Sequence, residues 1–122
     1  YYVTPDTPIA ELVTGLARHR FPGAPVADSN GRLIGYVSEQ DVLPQLLQSY
    51  YYCQEPPAVE KVMCREVLTV GPKDPVMQIA KMMMDAKPKI YPVVEDDRLI
   101  GVVTRSQVTQ ALLSAQKGCK PV

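Results

Sequence analysis

Histidine is almost missing from this chain of 122 residues; it occurs once, at His19. Cysteine is scarce and odd in number (Cys53, Cys64 and Cys119), with no two at C-x-x-C spacing. A zinc cluster has no recognisable ligand set here, and the thiols read as free in a reducing cytoplasm. His19 has neither a cysteine nor a serine partner in a recognisable motif, so nucleophilic catalysis has no constellation to rest on. Long apolar runs are missing too. None approaches the roughly 20 residues of a membrane span, and no signal-peptide pattern opens the chain. Nor does either charge dominate, because thirteen basic residues meet thirteen acidic ones. That balance recruits neither nucleic acid nor a membrane surface. The expectation is a cytoplasmic, non-catalytic protein.

What is present is a globular composition, 46% apolar and 21% charged, in a chain long enough to bury about two-thirds of its unfolded surface. The chain opens on Tyr1 and not on methionine, which leads to the expectation of further residues upstream.

The chain also repeats itself. Val3-Thr4-Pro5-Asp6-Thr7-Pro8 recurs 67 positions later as Val70-Gly71-Pro72-Lys73-Asp74-Pro75, with both prolines in register. At the same offset Leu12 meets Ile79, Leu16 meets Met83, and Ala24-Pro25-Val26 meets Tyr91-Pro92-Val93. Leu33-Ile34-Gly35 then meets Leu99-Ile100-Gly101 at an offset of 66. One residue has been lost between Asp28-Ser29-Asn30-Gly31-Arg32 and Glu95-Asp96-Asp97-Arg98, and a polar hairpin turn is where a length change is tolerated.

Each copy parses alike, as β-α-β-β-α. A short strand is predicted at Val3-Thr4 and again at Val67–Val70. A helix follows, with Thr7 and Asp74 as N-caps and a proline behind each at the first helical position. Ile9, Leu12, Val13 and Leu16 form one apolar stripe; Val76, Ile79, Met82 and Met83 form its counterpart. The run Met82-Met83-Met84 reads as adaptable core filling. Two strands come next, Ala24–Ala27 with Leu33–Val37 and Pro92–Val94 with Leu99–Val103. Asn30-Gly31 is a hairpin signal, since both residues accept positive φ. A second helix closes each copy, near Glu39–Tyr52 and Arg105–Lys117, with Pro44 predicting a kink or a late start in the first. The fold class is therefore mixed α/β (α+β), with two repeats expected to pack through their sheets about a pseudo-twofold axis. Residues 1–53 form the first repeat, residues 54–58 a proline-rich linker, and residues 59–122 the second repeat.

Laid out in this way, the chain resembles the CBS-domain family, whose tandem pair is called a Bateman module. The resemblance is carried by Gly23-Ala24-Pro25-Val26 and Leu33-Ile34-Gly35-Tyr36-Val37-Ser38-Glu39-Gln40-Asp41-Val42 in the first copy. Tyr91-Pro92-Val93-Val94 and Leu99-Ile100-Gly101-Val102-Val103-Thr104 carry it in the second, and Val62-Met63 resembles the family's lead-in. Each motif is weak alone; two ordered sets at one offset are strong. The resemblance implies a regulatory sensor of adenosine compounds (AMP, ADP, ATP or S-adenosylmethionine), bound in clefts between repeats, and association into dimers.

It also implies roles for Ser38 and Asp41, a hydroxyl that touches phosphate and a carboxylate that holds both ribose hydroxyls. The chemistry suits them, because a carboxylate accepts two hydrogen bonds from a vicinal diol and a helix N-terminus presents N–H groups to an anion. Ser-x-x-Asp is equally a capping box, and the two roles are compatible. In the second copy Thr104-Arg105-Ser106-Gln107 keeps the hydroxyl and replaces the acid by Gln107. The two sites are therefore expected to be unequal, with the Asp41 site the better for a nucleoside. Arg105, placed unfavourably at a helix start, reads first as a solvated surface arginine, with a partner for an anion as the alternative. Thr4 and Thr69 are candidates for an adenine or ribose edge. Pro25, Val26, Pro92 and Val93 are candidate lining residues of the two sites. His19, Arg20, Lys87 and Lys89 precede the Pro-Val strands; a solvated face is their default reading, a phosphate path the alternative. Tyr50-Tyr51-Tyr52 cannot all face one side of a helix, which points to a homodimer through the outer helices. Two functions remain open, the adenosine sensor and a dimerisation or protein-interaction module without a ligand.

Overall fold

A computed structural model describes residues 1–85 and 89–118. The order is α1 (Ile9–His19), β1 (Gly23–Ala27), β2 (Leu33–Ser38), α2 (Glu39–Tyr51), a 3-10 turn (Val59–Lys61), α3 (Val76–Asp85), β3 (Ile90–Glu95), β4 (Arg98–Thr104) and α4 (Arg105–Gln116). The class is mixed α/β, with one two-stranded antiparallel hairpin in each repeat. The chain packs as two units, Tyr1–Val67 with Asp97–Leu99, and Leu68–Asp96 with the chain from Ile100 onward.

In the first unit β1 is buried along its whole length. Pro25 costs the ladder little, since its carbonyl still accepts from Val3 N–H at 3.0 Å while Val3 O accepts from Ala27 N–H at 2.9 Å. The predicted strand at Val3-Thr4 thus shortens to one parallel bridge, Val3 with Val26, and that at Val67–Val70 to the bridge of Val70 with Val93. The prolines at positions 5 and 72 end each pairing, because they lack the N–H that would extend it.

The predicted caps also move. The N-cap of α1 is Pro8, without a side-chain bond. Thr7 instead closes the preceding turn: Thr4 N–H donates to Thr7 Oγ1 at 3.0 Å, as Gly71 N–H donates to Asp74 Oδ2 at 2.8 Å. Pro44 brings no late start, since α2 begins at Glu39 and runs through it.

The turn that lost a residue has a geometric explanation. Between β1 and β2, Gly31 N–H donates to Asp28 O at 3.0 Å, Asp28 N–H to Arg32 O at 2.9 Å, and Gly31 sits at φ 81°. This is a three-residue loop, a type I turn closed by a left-handed glycine. Asn30 does not share the positive φ; its N–H and that of Arg32 donate to Asp28 Oδ1, each at 2.9 Å. Between β3 and β4 the loop is Asp96-Asp97, both left-handed at φ 51° and 65°, which is the two-residue type I′ solution.

The first core gathers Val3, Ile9, Leu12, Leu16, Ala24, Val26, Val37, Val42 and Val59. Val59 comes from the segment that follows α2, held by Val59 N–H to Thr7 O and Glu60 N–H to Pro5 O, both 2.9 Å. That segment then runs along the outer edge of β2, where Tyr36 and Cys64 exchange backbone bonds of 2.9 and 2.8 Å. The second core is smaller, with Val70, Ile79, Met83, Tyr91 and Val108, and α3 packs on α4. Tyr91 stands where the first unit has Ala24, and its hydroxyl donates to Met82 O at 3.1 Å. Of the methionine run, Met83 is core and Met82 lies against it; Met84 is 84% exposed and fills nothing. Val13 and Val76 likewise sit on the exposed rim of their helices.

Candidate ligand-binding site

The two hairpins deliver their last residues into helix starts of the same construction. Ser38, extended at φ −116° and ψ 165°, caps α2; Thr104, at φ −101° and ψ 157°, caps α4. Asp41 N–H donates to Ser38 Oγ at 3.2 Å, and Ser38 N–H donates to Asp41 Oδ2 at 2.9 Å. Gln107 N–H donates to Thr104 Oγ1 at 3.1 Å, and Thr104 N–H donates to Gln107 Oε1 at 3.0 Å. Both are complete capping boxes. The next N–H is bonded as well, Glu39 to Pro22 O at 2.9 Å and Arg105 to Lys89 O at 2.8 Å.

The boxes differ in the atom they leave over. Asp41 spends only Oδ2, which also accepts from the Ser38 hydroxyl at 2.9 Å, and among the described residues Oδ1 has no partner. Gln107 must present its oxygen to the Thr104 N–H, so its spare atom is Nε2. An acceptor in the first unit is therefore a donor in the second. Both side chains are exposed, and Asp41 with Glu39 suits the positive end of the helix dipole. Arg105 opens α4 against that preference, with its side chain exposed.

The other expected residues are dispersed. The Thr4 hydroxyl donates to Asp6 Oδ1 and lies 2.9 Å from Thr7 Oγ1, so it is engaged within its own turn. That bond, with a smaller share from the Asp6 backbone N–H, holds the Asp6 carboxyl below the usual carboxylate range. Thr69 is exposed and precedes the bridging Val70, whereas Thr4 follows the bridging Val3. The two threonines are thus not counterparts. The side chains of Pro25, Val26 and Pro92 are fully buried, and Val93 is half-buried.

His19 stacks on Tyr1 with centroids 4.6 Å apart and faces Phe21 at 6.1 Å. A shallow cleft of about 430 Å³ follows this face of α1, lined by Tyr1, Ala10, Glu11, Thr14, Gly15, Arg18 and His19. Arg20 is the left-handed C-cap of α1, and Lys89 is exposed. Lys87 and Cys119 lie outside the described residues, while Cys53 and Cys64 are free and exposed. Among the described residues no group of His, Cys, Asp and Glu is placed to hold a metal, and no helix is long and apolar enough to cross a membrane.

One neighbour of Asp41 was not singled out as a site residue from the sequence. Tyr36 on β2 is half-buried, and its ring lies against Gly23. A Cβ on Gly23 would come within 2.5 Å of the phenol oxygen and 2.8 Å of two ring carbons. Burial, reinforced by the nearby Asp41 carboxylate, pushes the phenol pKa up to about 12. The signal was present in the repeat itself. At the repeat offsets Gly23 becomes Ile90, Tyr36 becomes Val102, and Asp41 becomes Gln107.

Comparison with known proteins bears on this arrangement. The sequence profile of the CBS domain matches residues 1–47 and again 59–114. The chain belongs to the CBS domain family. It is similar to CBSX2, a CBS-pair protein from Arabidopsis thaliana, at 29% identity and a TM-score of 0.82, covering 98% of this chain and 89% of the other. CBSX2 has also been crystallised in complex with AMP. The CBS domain pair of protein MJ0100, crystallised with 5′-methylthioadenosine and S-adenosyl-L-methionine, matches at 26% identity and a TM-score of 0.75, over 91% of this chain and 90% of that one. In sequence the chain is 32% identical over 104 residues to an A-adding tRNA nucleotidyltransferase of Aquifex aeolicus, covering 85% of this chain. It spans only 12% of that enzyme's length.

Proposed function

We propose that this tandem CBS pair is a regulatory sensor that binds an adenosine compound at the start of α2 and responds by a change in repeat packing or dimer geometry. The observation that carries this reading is the divided carboxylate of Asp41, with one oxygen used by the helix cap and the other left as an outward acceptor. A ribose diol is the complement of such an acceptor. The AMP complex of CBSX2 and the methylthioadenosine and S-adenosylmethionine complex of MJ0100 support the ligand class. The module regulates and does not catalyse, and the second unit, with Gln107, is the weaker nucleoside site.

The test is thermal unfolding with AMP, ATP or S-adenosylmethionine. A ligand bound only by the native state adds about 2.7 kcal/mol at a hundredfold excess over Kd, so the melting temperature rises. Asp41→Asn keeps a cap oxygen for the Ser38 N–H and turns the spare atom into a donor, as in Gln107. It is expected to keep the ligand-free melting temperature and lose the nucleotide-dependent rise. An unchanged rise in that variant would sink the reading.

The second reading is a homodimerisation or protein-interaction module without a ligand. It is favoured by Leu43, Leu47 and Tyr50, which recur at helical spacing on α2 and are all more than half exposed, in a stretch from Val42 to Gln54 without one charged residue. Interface cores are depleted of charge in this way. A module of this second kind shows no nucleotide-dependent rise at all.

A further inference from the structure

The structure assigns Tyr36 as a specificity-determining residue of the Asp41 site: its hydroxyl donates to a ribose hydroxyl whose proton Asp41 Oδ1 accepts. The inference rests on the proposed adenosine reading and deepens it by naming what the site selects, a ribonucleotide over a deoxyribonucleotide.

The argument begins with packing. Gly23 and Tyr36 form one steric unit, since the ring occupies the space a Cβ at position 23 would need, and Gly23 pairs across the hairpin with Ser38, whose N–H and hydroxyl hold Asp41. The second unit carries the reverse exchange at these positions, a larger, buried Ile90 and a smaller Val102. That exchange preserves an apolar filling and removes a hydroxyl. It coincides with the replacement of the outward acceptor of Asp41 by the outward donor of Gln107. Packing alone gives no reason for the two changes to occur together, because Gln107 is exposed and serves its cap as well as Asp41 does. A shared ligand gives one. A hydroxyl is both donor and acceptor, so a site that reads it needs one group of each kind. Only the first unit has the pair.

Two further observations fit. Among the described residues the Tyr36 hydroxyl makes no hydrogen bond, which leaves it available. Burial and the Asp41 charge also keep the phenol protonated at every pH at which a nucleotide would be bound, so it is a donor throughout. A site that hydrogen-bonds a substrate hydroxyl rejects the analogue lacking it more strongly than an apolar site does, because its own polar groups are left unpaired.

The experiment is titration of the whole chain with AMP, 2′-deoxy-AMP and 3′-deoxy-AMP by calorimetry. The wild type is expected to bind AMP and to lose affinity for at least one deoxy analogue. Tyr36→Phe is expected to weaken AMP about fivefold, the worth of one ordinary hydrogen bond, and to shrink the penalty on that analogue by the same factor. The double exchange Gly23→Ile with Tyr36→Val transplants the second unit's packing, and gives the same result without depending on how phenylalanine sits. If both variants keep the AMP affinity and the deoxy penalty while Asp41→Asn weakens AMP, the assignment of Tyr36 is overturned and the adenosine reading stands. If Asp41→Asn leaves AMP binding unchanged, or the wild type binds no AMP, the adenosine reading falls and takes this inference with it.

Discussion

The two units share their bridges, side-chain turns and helix caps, and differ in their hairpin turns and in how well each is covered. Val3 and Val70 make the same parallel bridge, Thr7 and Asp74 the same side-chain turn, and Ser38 and Thr104 the same cap. On the outer edge of the hairpin the likeness stops. Gly35 is roofed by Met63 and Cys64, and a Cβ there would meet Met63 Sδ at 2.8 Å and Cys64 O at 2.9 Å. Among the described residues a Cβ on its counterpart Gly101 would meet nothing within 4 Å. The burial pattern follows, with β2 half-buried to buried and β4 exposed to half-buried. Hydrogen-bonded turns and caps are satisfied by residues three or four apart, so a duplicated sequence reproduces them wherever it sits. Burial depends on which distant segment lies on the strand, and duplication does not copy that.

The largest effect expected from this contrast is in the cores. Leu12→Ala removes a side chain with no exposure and should cost about 3 kcal/mol, whereas Met83→Ala, in a smaller cluster that collapses more easily, should cost about 2 kcal/mol. Urea unfolding measures both; equal losses, or a reversed order, would break the comparison. The glycines come next. Gly35→Ala forces Met63 and the Cys64 backbone outward and should destabilise by about 1–3 kcal/mol. Gly101→Ala meets open space and should be neutral or stabilising by up to about 0.5 kcal/mol. Similar melting temperatures for the two variants would show that the roof over β2 is not rigid.

The remaining effect is confined to alkaline pH. A half-buried phenol raised to about 12 from an ordinary 10.0 binds its proton more tightly in the folded chain. The stability this brings is whole below pH 10 and is lost as pH rises towards 12. Tyr36→Phe should flatten that limb of the stability–pH curve, and a curve of unchanged slope would argue that the ring is solvated.

Much of the fold was legible because its signals are local. The places of the turns, the two capped helix starts and most of the apolar stripes were set by neighbours in sequence, although Asn30 did not take the positive φ expected of it and Val13 and Val76 lie exposed. The first strands were overread, since an extended Val-Thr or Leu-Thr-Val segment says nothing about how many partners it finds. Prolines 5 and 72 limited each to one. Thr7 and Asp74 have the chemistry of N-caps, but their side chains were taken by the turn before them. In the candidate site, Ser38 and Asp41 could be named because the family resemblance falls on them, while their spacing by itself named only a capping box. Tyr36 could not, because its importance lies in the space left by Gly23, thirteen residues away in sequence and against it in the fold. Thr4 and Thr69, both candidates for a ligand edge, stand on opposite sides of their bridges.

The capping box has a further consequence. An isolated aspartate samples several rotamers, and a ligand that binds it must freeze one, at a cost on the order of 0.5–1.5 kcal/mol for a mobile side chain. Asp41 is held by the Ser38 N–H and hydroxyl whether or not anything docks on it. Its free oxygen is therefore aimed in advance, and the ordering happens when the helix forms and not when a ligand arrives. A cap of this kind makes the folding of α2 and the readiness of the carboxylate one event, so whatever loosens the start of the helix also blunts the site.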